Sequence, residues 1–171
     1  MNTEIENLKA TVVKLIKAGV PVFFGCDVGK HSNSTLGIMD LKLFDYEVRN
    51  PFLAPLGQTL MVALQTAFNI KLGLTKKQRL QVHESAMTHA MVICGVHVDP
   101  ETDKPVRYKV ENSWGEGPGE KGWFMMTDEW FSEFVFQIVV PKALAPKELV
   151  KVYENRNAQV LPAWDPMGSL A

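Results

Sequence analysis

Residues 88–98, THAMVICGVHV, separate into two alternating sets, and this is the feature that most restricts the fold. His89, Met91, Ile93, Gly95 and His97 fall on one side of an extended chain; Ala90, Val92, Cys94, Val96 and Val98 fall on the other. A period of two held over this length predicts one long strand. The turn-rich DPETDKP comes next, then a second run, VRYKVEN, so the two strands are expected to pair antiparallel through a loop of about seven residues. The Gly/Pro-rich SWGEGPGEKG leads into a further strand, GWFMM, and FVFQIVV reads as another. The core is therefore organised by a sheet.

Helices flank these strands, which makes the expected class α+β. Thr3 with Glu6 forms a T-x-x-E capping box, and Ile5, Leu8, Val12, Leu15 and Ile16 recur at helical spacing until Gly19 and Pro21. That pattern predicts an amphipathic helix over about 4–18. PVFFG at 21–25 reads as a short buried strand, and the polar DVGKHSNSTLG leads to a second extended piece, GIMDLKLF. TDEWFSEF opens on an N-capping Thr with acidic first-turn residues, enough for two helical turns. PKELVKVYE suits a short helix with Pro in its first turn, and the proline-rich VLPAWDPMGSLA suits no regular structure. The apolar stretch 49–68, RNPFLAPLGQTLMVALQTAF, is helix-compatible, but periodicity alone does not separate helix from strand there or in the basic KLGLTKKQRLQ after it.

The chain has 171 residues, one ordinary domain's worth, and needs neither disulfides nor a structural metal to close a core. With 18 Lys+Arg against 19 Asp+Glu, no net charge draws it to nucleic acid or acidic lipid. TKKQR is only a small basic cluster. No apolar run approaches the roughly 20 residues of a membrane helix, so no membrane association is expected. The start, MNTEIENLKATVVKLIKAG, does not read as a signal peptide, and two cysteines, Cys26 and Cys94, suit a reducing cytoplasm. His31, His83 and His97 are scattered without metal-ligand spacing, so no metal and no cofactor are expected. GEGPGEKG has neither the dinucleotide nor the P-loop arrangement and reads as a mobile loop. Trp123, Trp130, Phe131 and Phe134 read as core aromatics.

Two polar residues stand out against this background. His89 begins one strand of the predicted pair and Asn112 ends the next, 23 residues later. Antiparallel pairing would let the two side chains meet at one edge of the sheet. Nucleophilic cysteine catalysis uses such a couple: the imidazole takes the thiol proton, while an amide oxygen accepts from the other ring N–H and fixes the ring. A neutral Asn orients the imidazole without competing for the proton. Trp114, two residues on, is placed to shield that hydrogen bond from water. Taken alone, a histidine at a strand start is more often structural than catalytic.

The neighbouring residues carry more. MTHAM at 87–91 followed by VENSWGEGPGEKGWFMM at 110–126 resembles the His and Asn segments of papain-like cysteine peptidases. PVFFGCDVGKHSNSTLG, ESAMTHAM, MTDEWFSEFVFQIVV and LPAWDPMGSLA narrow the resemblance to the bleomycin hydrolase, or aminopeptidase C, family of that clan. The resemblance implies a C-terminal, β-rich half of a papain-like fold over residues 1–160, followed by an extended C-terminal arm at 161–171. It implies that His89 is the general base, Asn112 its orienting residue and Trp114 the cover over both. The arm would place the carboxylate of Ala171 against the free amino end of a peptide or amide substrate, converting an endopeptidase-like cleft into an aminopeptidase. Family members act in the cytoplasm and assemble as hexamers.

The chain departs from that family's pattern in two respects. The family's nucleophile stands in a Gln-containing, Gly-rich stretch of the N-terminal half, which has no counterpart here. Cys26 matches a non-catalytic position, and Cys94, on the strand face opposite His89, would lie roughly 17 Å away at about 3.3 Å per residue. The chain alone is therefore expected to be inactive. The second departure is the 49–68 segment, which reads as an insertion. The alternative reading is a non-catalytic fragment or subunit acting by association with full-length protomers.

Overall fold

The predicted hairpin is the centre of the sheet in the computed structural model, which describes residues 1–43, 73–155, 158–162 and 164–165. β4 (His89–Val98) and β5 (Pro105–Glu111) pair antiparallel, joined by residues 99–104. Asp99 closes that turn by accepting from the backbone N–H groups of Glu101 and Thr102 at 2.8 and 3.0 Å. Around the hairpin lie β1 (Val22–Cys26), β2 (Ser32–Asn33), β3 (Ile38–Met39), β6 (Trp123–Thr127) and β7 (Val135–Ile138). The sheet order is β2-β3-β6-β5-β4-β1-β7, and every pairing is antiparallel except β3 with β6. The short β2 and β7 take the edges.

Helix α1 (Ile5–Lys17) lays Val12 and Leu15 on β1 and β4, and α3 (Asp128–Phe134) lays Trp130, Phe131 and Phe134 beside it on the same face. The other α-helices among the described residues are α2 (Lys76–Gln81) and α4 (Lys147–Glu154). The core on that face holds Val22, Phe24, Met91, Ile93, Tyr108, Val110, Phe124 and Met126, the inward set of four adjacent strands. Each fully buried side chain of this size contributes about 1.5–3 kcal/mol. Buried polar groups join the helices: Lys9 reaches Asp128 Oδ2 at 2.6 Å, and the Tyr108 hydroxyl donates to Asp128 Oδ1 at 2.9 Å. A charge buried this deeply is tolerated because each partner is satisfied.

Several local expectations change. The alternation of β4 holds from His89 to Ile93 and then breaks, because Ile93 pairs with Val110 and Gly95 with Lys109, leaving Cys94 as the extra residue of a bulge. Beyond it the faces exchange, so Val96 packs on the core and His97 is exposed. The Thr3 capping box does not form. Glu4 occupies the N-cap without a side-chain bond, and Thr3 Oγ1 instead accepts from Asn7 Nδ2 at 2.8 Å. At the other end α1 stops as expected, with Gly19 at φ +76° and the Val20 N–H returned to Leu15 O at 2.9 Å. Thr127 does cap α3, accepting from Trp130 N at 3.3 Å, whereas Pro146 takes the N-cap of α4 rather than its first turn. The Gly/Pro-rich 115–122 loop is tied down: Gly119 N–H donates to Ser34 O at 2.9 Å, and a Cβ on Gly119 would lie 2.4 Å from Trp123 O. The stretch 49–68 lies outside the described residues.

Candidate active site

The polar pair forms at the ends of two interior strands rather than at a sheet edge. β4 starts where β5 finishes, which brings the His89 ring and the Asn112 amide onto one face. His89 Nε2 and Asn112 Oδ1 are 2.8 Å apart. The same Oδ1 accepts from the Ser113 N–H at 2.8 Å, which identifies this atom as the oxygen. An amide oxygen only accepts, so Nε2 carries the proton and Nδ1 keeps its lone pair. Nδ1 has no hydrogen-bond partner among the described residues and is the atom left for chemistry.

Asn112 is held from below. Its N–H donates to Gly122 O at 3.1 Å, extending the β5–β6 ladder by one residue, and Gly122 sits at φ +83°, with Gly115 O 2.9 Å from where a Cβ would stand. A glycine is required there. Asn112 is 7% exposed, and its Nδ2 has no partner among the described residues. Trp114 stacks on the imidazole, ring centroids 4.8 Å apart, and meets Phe124 edge-on at 6.1 Å. Phe124 belongs to the core, so the indole is anchored on one side and 44% exposed on the other. It covers the hydrogen bond, lowering the local dielectric and strengthening it. No motif singles out Gly122 or Phe124 in the sequence; the glycine that opens GWFMM is the one available signal.

Neither thiol joins this group. Cys26 pairs with His89 across β1 and β4, but its Sγ is turned to the His89 backbone oxygen at 3.6 Å, and no hydrogen bond joins it to the ring. It is fully buried, and burial with a smaller contribution from Asp27 pushes the thiol up to about 12 from its ordinary 9.0. Cys94 sits in the bulge, 3.7 Å from Glu111 Oε2, and partial burial followed by that carboxylate raises its pKa as well. Both are free cysteines in the protonated, unreactive form at neutral pH. Ala171 lies outside the described residues. Among the described residues no cluster of His, Cys, Asp and Glu could hold a metal ion, and no helix is long and apolar enough to cross a membrane.

Residues 1–52 and 55–168 match the model of the Peptidase C1-like family. The chain belongs to this family. Among its relatives in the Peptidase C1-like family, bleomycin hydrolase from Homo sapiens is 43% identical over 99% of this chain and 34% of its own length. Aminopeptidase C from Listeria innocua is 42% identical over 100% of this chain and 34% of its own. The crystal structure of PepW from Lactobacillus rhamnosis HN001 superimposes with a TM-score of 0.81 at 40% identity, covering 98% of this chain and 34% of that one. The chain thus spans about a third of the length of the relatives it matches. Its fold is the α+β arrangement of a papain-like peptidase over a partial region, and its relatives are cysteine peptidases of the bleomycin hydrolase and aminopeptidase C group.

Proposed function

We propose that this chain is the base-bearing portion of a cysteine aminopeptidase that hydrolyses peptide or amide bonds beside a free amino end. The observation that carries the reading is the 2.8 Å bond from His89 Nε2 to Asn112 Oδ1 beneath Trp114, which leaves Nδ1 with its lone pair uncommitted. A cysteine thiol presented to Nδ1, other than Cys26 and Cys94, would give up its proton to the ring. The thiolate attacks the substrate carbonyl carbon, and the imidazolium then protonates the departing amine, leaving a thioester. Water enters, Nδ1 takes its proton, and hydroxide attack releases the acid and returns the thiol. Asn112 holds the ring through both proton transfers. A terminal carboxylate on Ala171 would pair with the substrate's ammonium and limit the enzyme to free amino ends. The assembly would be a cytoplasmic homo-hexamer.

The same reading makes the 171-residue chain inactive alone, since no hydrogen bond joins either protonated thiol to the imidazole. The test is a chimera in which this chain replaces the matching third of human bleomycin hydrolase. Thiol-dependent hydrolysis of an aminoacyl fluorogenic substrate by the chimera, lost on His89→Ala, is expected, with no turnover by the isolated chain. Activity of the isolated chain that disappears on Cys26→Ser or Cys94→Ser would overturn the reading. So would a folded chimera whose activity survives His89→Ala.

A further inference from the structure

The segment that delivers His89 to the site is irregular, and something other than strand pairing must fix it. Residues 84–88 lie between α2 and β4 and belong to no helix or strand. At their centre is Asp27, which directly follows β1 and is only 4% exposed. Its Oδ2 accepts from the Ser85 hydroxyl at 2.7 Å, and its Oδ1 lies 3.4 Å from the Thr88 hydroxyl. Backbone bonds run in parallel: Thr88 N–H donates to Cys26 O at 2.9 Å, and Val28 N–H donates to Thr88 Oγ1 at 3.3 Å. Above them Lys30 pairs with Glu84 at 2.7 Å.

The other side of Asp27 is anchored too. Its own N–H donates to Phe134 O at the end of α3, at 3.0 Å. The same helix end receives α2: Lys76 Nζ donates to Ser132 O at 2.9 Å and also to Val135 O, and Arg79 bonds Glu133 Oε2 at 2.6 Å. The carbonyl of Arg79 then accepts from Glu84 and Ser85 N–H groups at 2.9 and 3.2 Å. A buried carboxylate is costly unless its oxygens are satisfied, and here the satisfying groups are two hydroxyls that flank the approach to the imidazole. Thr88 is the residue directly before His89.

We propose that Asp27 is a positioning residue for His89, acting through Ser85 and Thr88 to set where the imidazole meets Asn112. The role is separate from catalysis itself, since Asp27 touches no reacting atom; it rests on the reading of His89 as the base. Loss of the carboxylate frees the Ser85 hydroxyl and leaves that of Thr88 only its 3.4 Å contact with Cys26 O, the 84–88 segment relaxes, and the ring drifts from the 2.8 Å contact that selects its Nε2–H form.

The test uses nitrogen-15 NMR of the histidine side chains in the 171-residue chain, in alkaline buffer where the ring is neutral. In the parent chain His89 should be mainly Nε2–H, with ring protons shifted upfield by Trp114. In Asp27→Ala and Ser85→Ala the ratio of Nε2–H to Nδ1–H should fall at least about threefold, the order expected for weakening one hydrogen bond, and the upfield shift should shrink. Ser85→Thr, which keeps the hydroxyl, should restore both. Should Asp27→Ala fail to fold, Ser85→Ala decides, because it leaves the carboxylate and the backbone bonds in place. Folded alanine variants that melt earlier yet keep the parent His89 signals would overturn the proposal and leave the catalytic reading standing. A parent chain with His89 as Nδ1–H would instead overturn the catalytic reading.

Discussion

The two ends of β4 carry similar residues and put them to different use. At the His89 end, regular pairing with β1 keeps His89, Met91 and Ile93 on one face, and that face ends at Asn112 and Trp114. At the far end, the bulge at Cys94 exchanges the faces, so His97 stands in solvent above the Arg107 pairing position. A histidine acquires chemistry here from its neighbours: one ring nitrogen is committed to an acceptor, one face is covered, and one nitrogen is left over. His97 has none of these. The contrast extends to the thiols, since Cys26 is buried against the backbone of His89 and Cys94 marks the break in register.

Substitution separates the two histidines most strongly. In the chimera with human bleomycin hydrolase, His89→Ala should lower kcat/KM by about 10²–10⁴-fold, the usual range for a positioned acid–base group. His97→Ala should leave it unchanged. Equal losses from the two substitutions, measured with the same fluorogenic substrate, would erase the distinction between the strand ends.

How far was this difference legible beforehand? The hairpin was, because alternation and the intervening turn require only local pattern, and the meeting of His89 with Asn112 followed from antiparallel pairing. The bulge was not, since THAMVICGVHV alternates without interruption and the slip arises from pairing with VRYKVEN. Ile38–Met39 is too short to announce a parallel partner, and the strand became one by pairing with β6. The Thr3 cap failed because Asn7, one turn on, competes for the same hydroxyl. Asp27 was invisible as a positioning residue because Ser85 and Thr88 lie some sixty positions away in sequence, at separations of 58 and 61.

Packing gives the next effect in size. Ile93→Ala, at the last regular position before the bulge, should cost about 2–5 kcal/mol in urea unfolding of the chain. His97→Ala, four residues on and exposed, should stay within about 0.5 kcal/mol. A comparable loss at both sites would mean that the faces do not exchange at the bulge.

The two thiols differ in their response to pH. Cys26 holds its proton to about 12 in the folded chain against an ordinary 9.0, so between those values the folded state binds the extra proton. Stability is therefore fully present below about 9 and falls above it, by about 1.4 kcal/mol per pH unit attributable to this group. Cys26→Ala should flatten that part of the alkaline slope in paired urea titrations. Cys94→Ala should be the smallest change of all, within about 0.5 kcal/mol at neutral pH, because its side chain lies in the bulge and outside the core cluster.

In this arrangement Asn112 holds His89 with Nε2 protonated and Nδ1 available to take a thiol proton. Long-range nitrogen-15 correlation spectra of the neutral imidazole read this directly in the parent chain and in Asn112→Ala. The expected result is a predominant Nε2–H form in the parent that drops toward an even mixture in Asn112→Ala. A parent ring that is mainly Nδ1–H, or a tautomer ratio indifferent to Asn112, would contradict it.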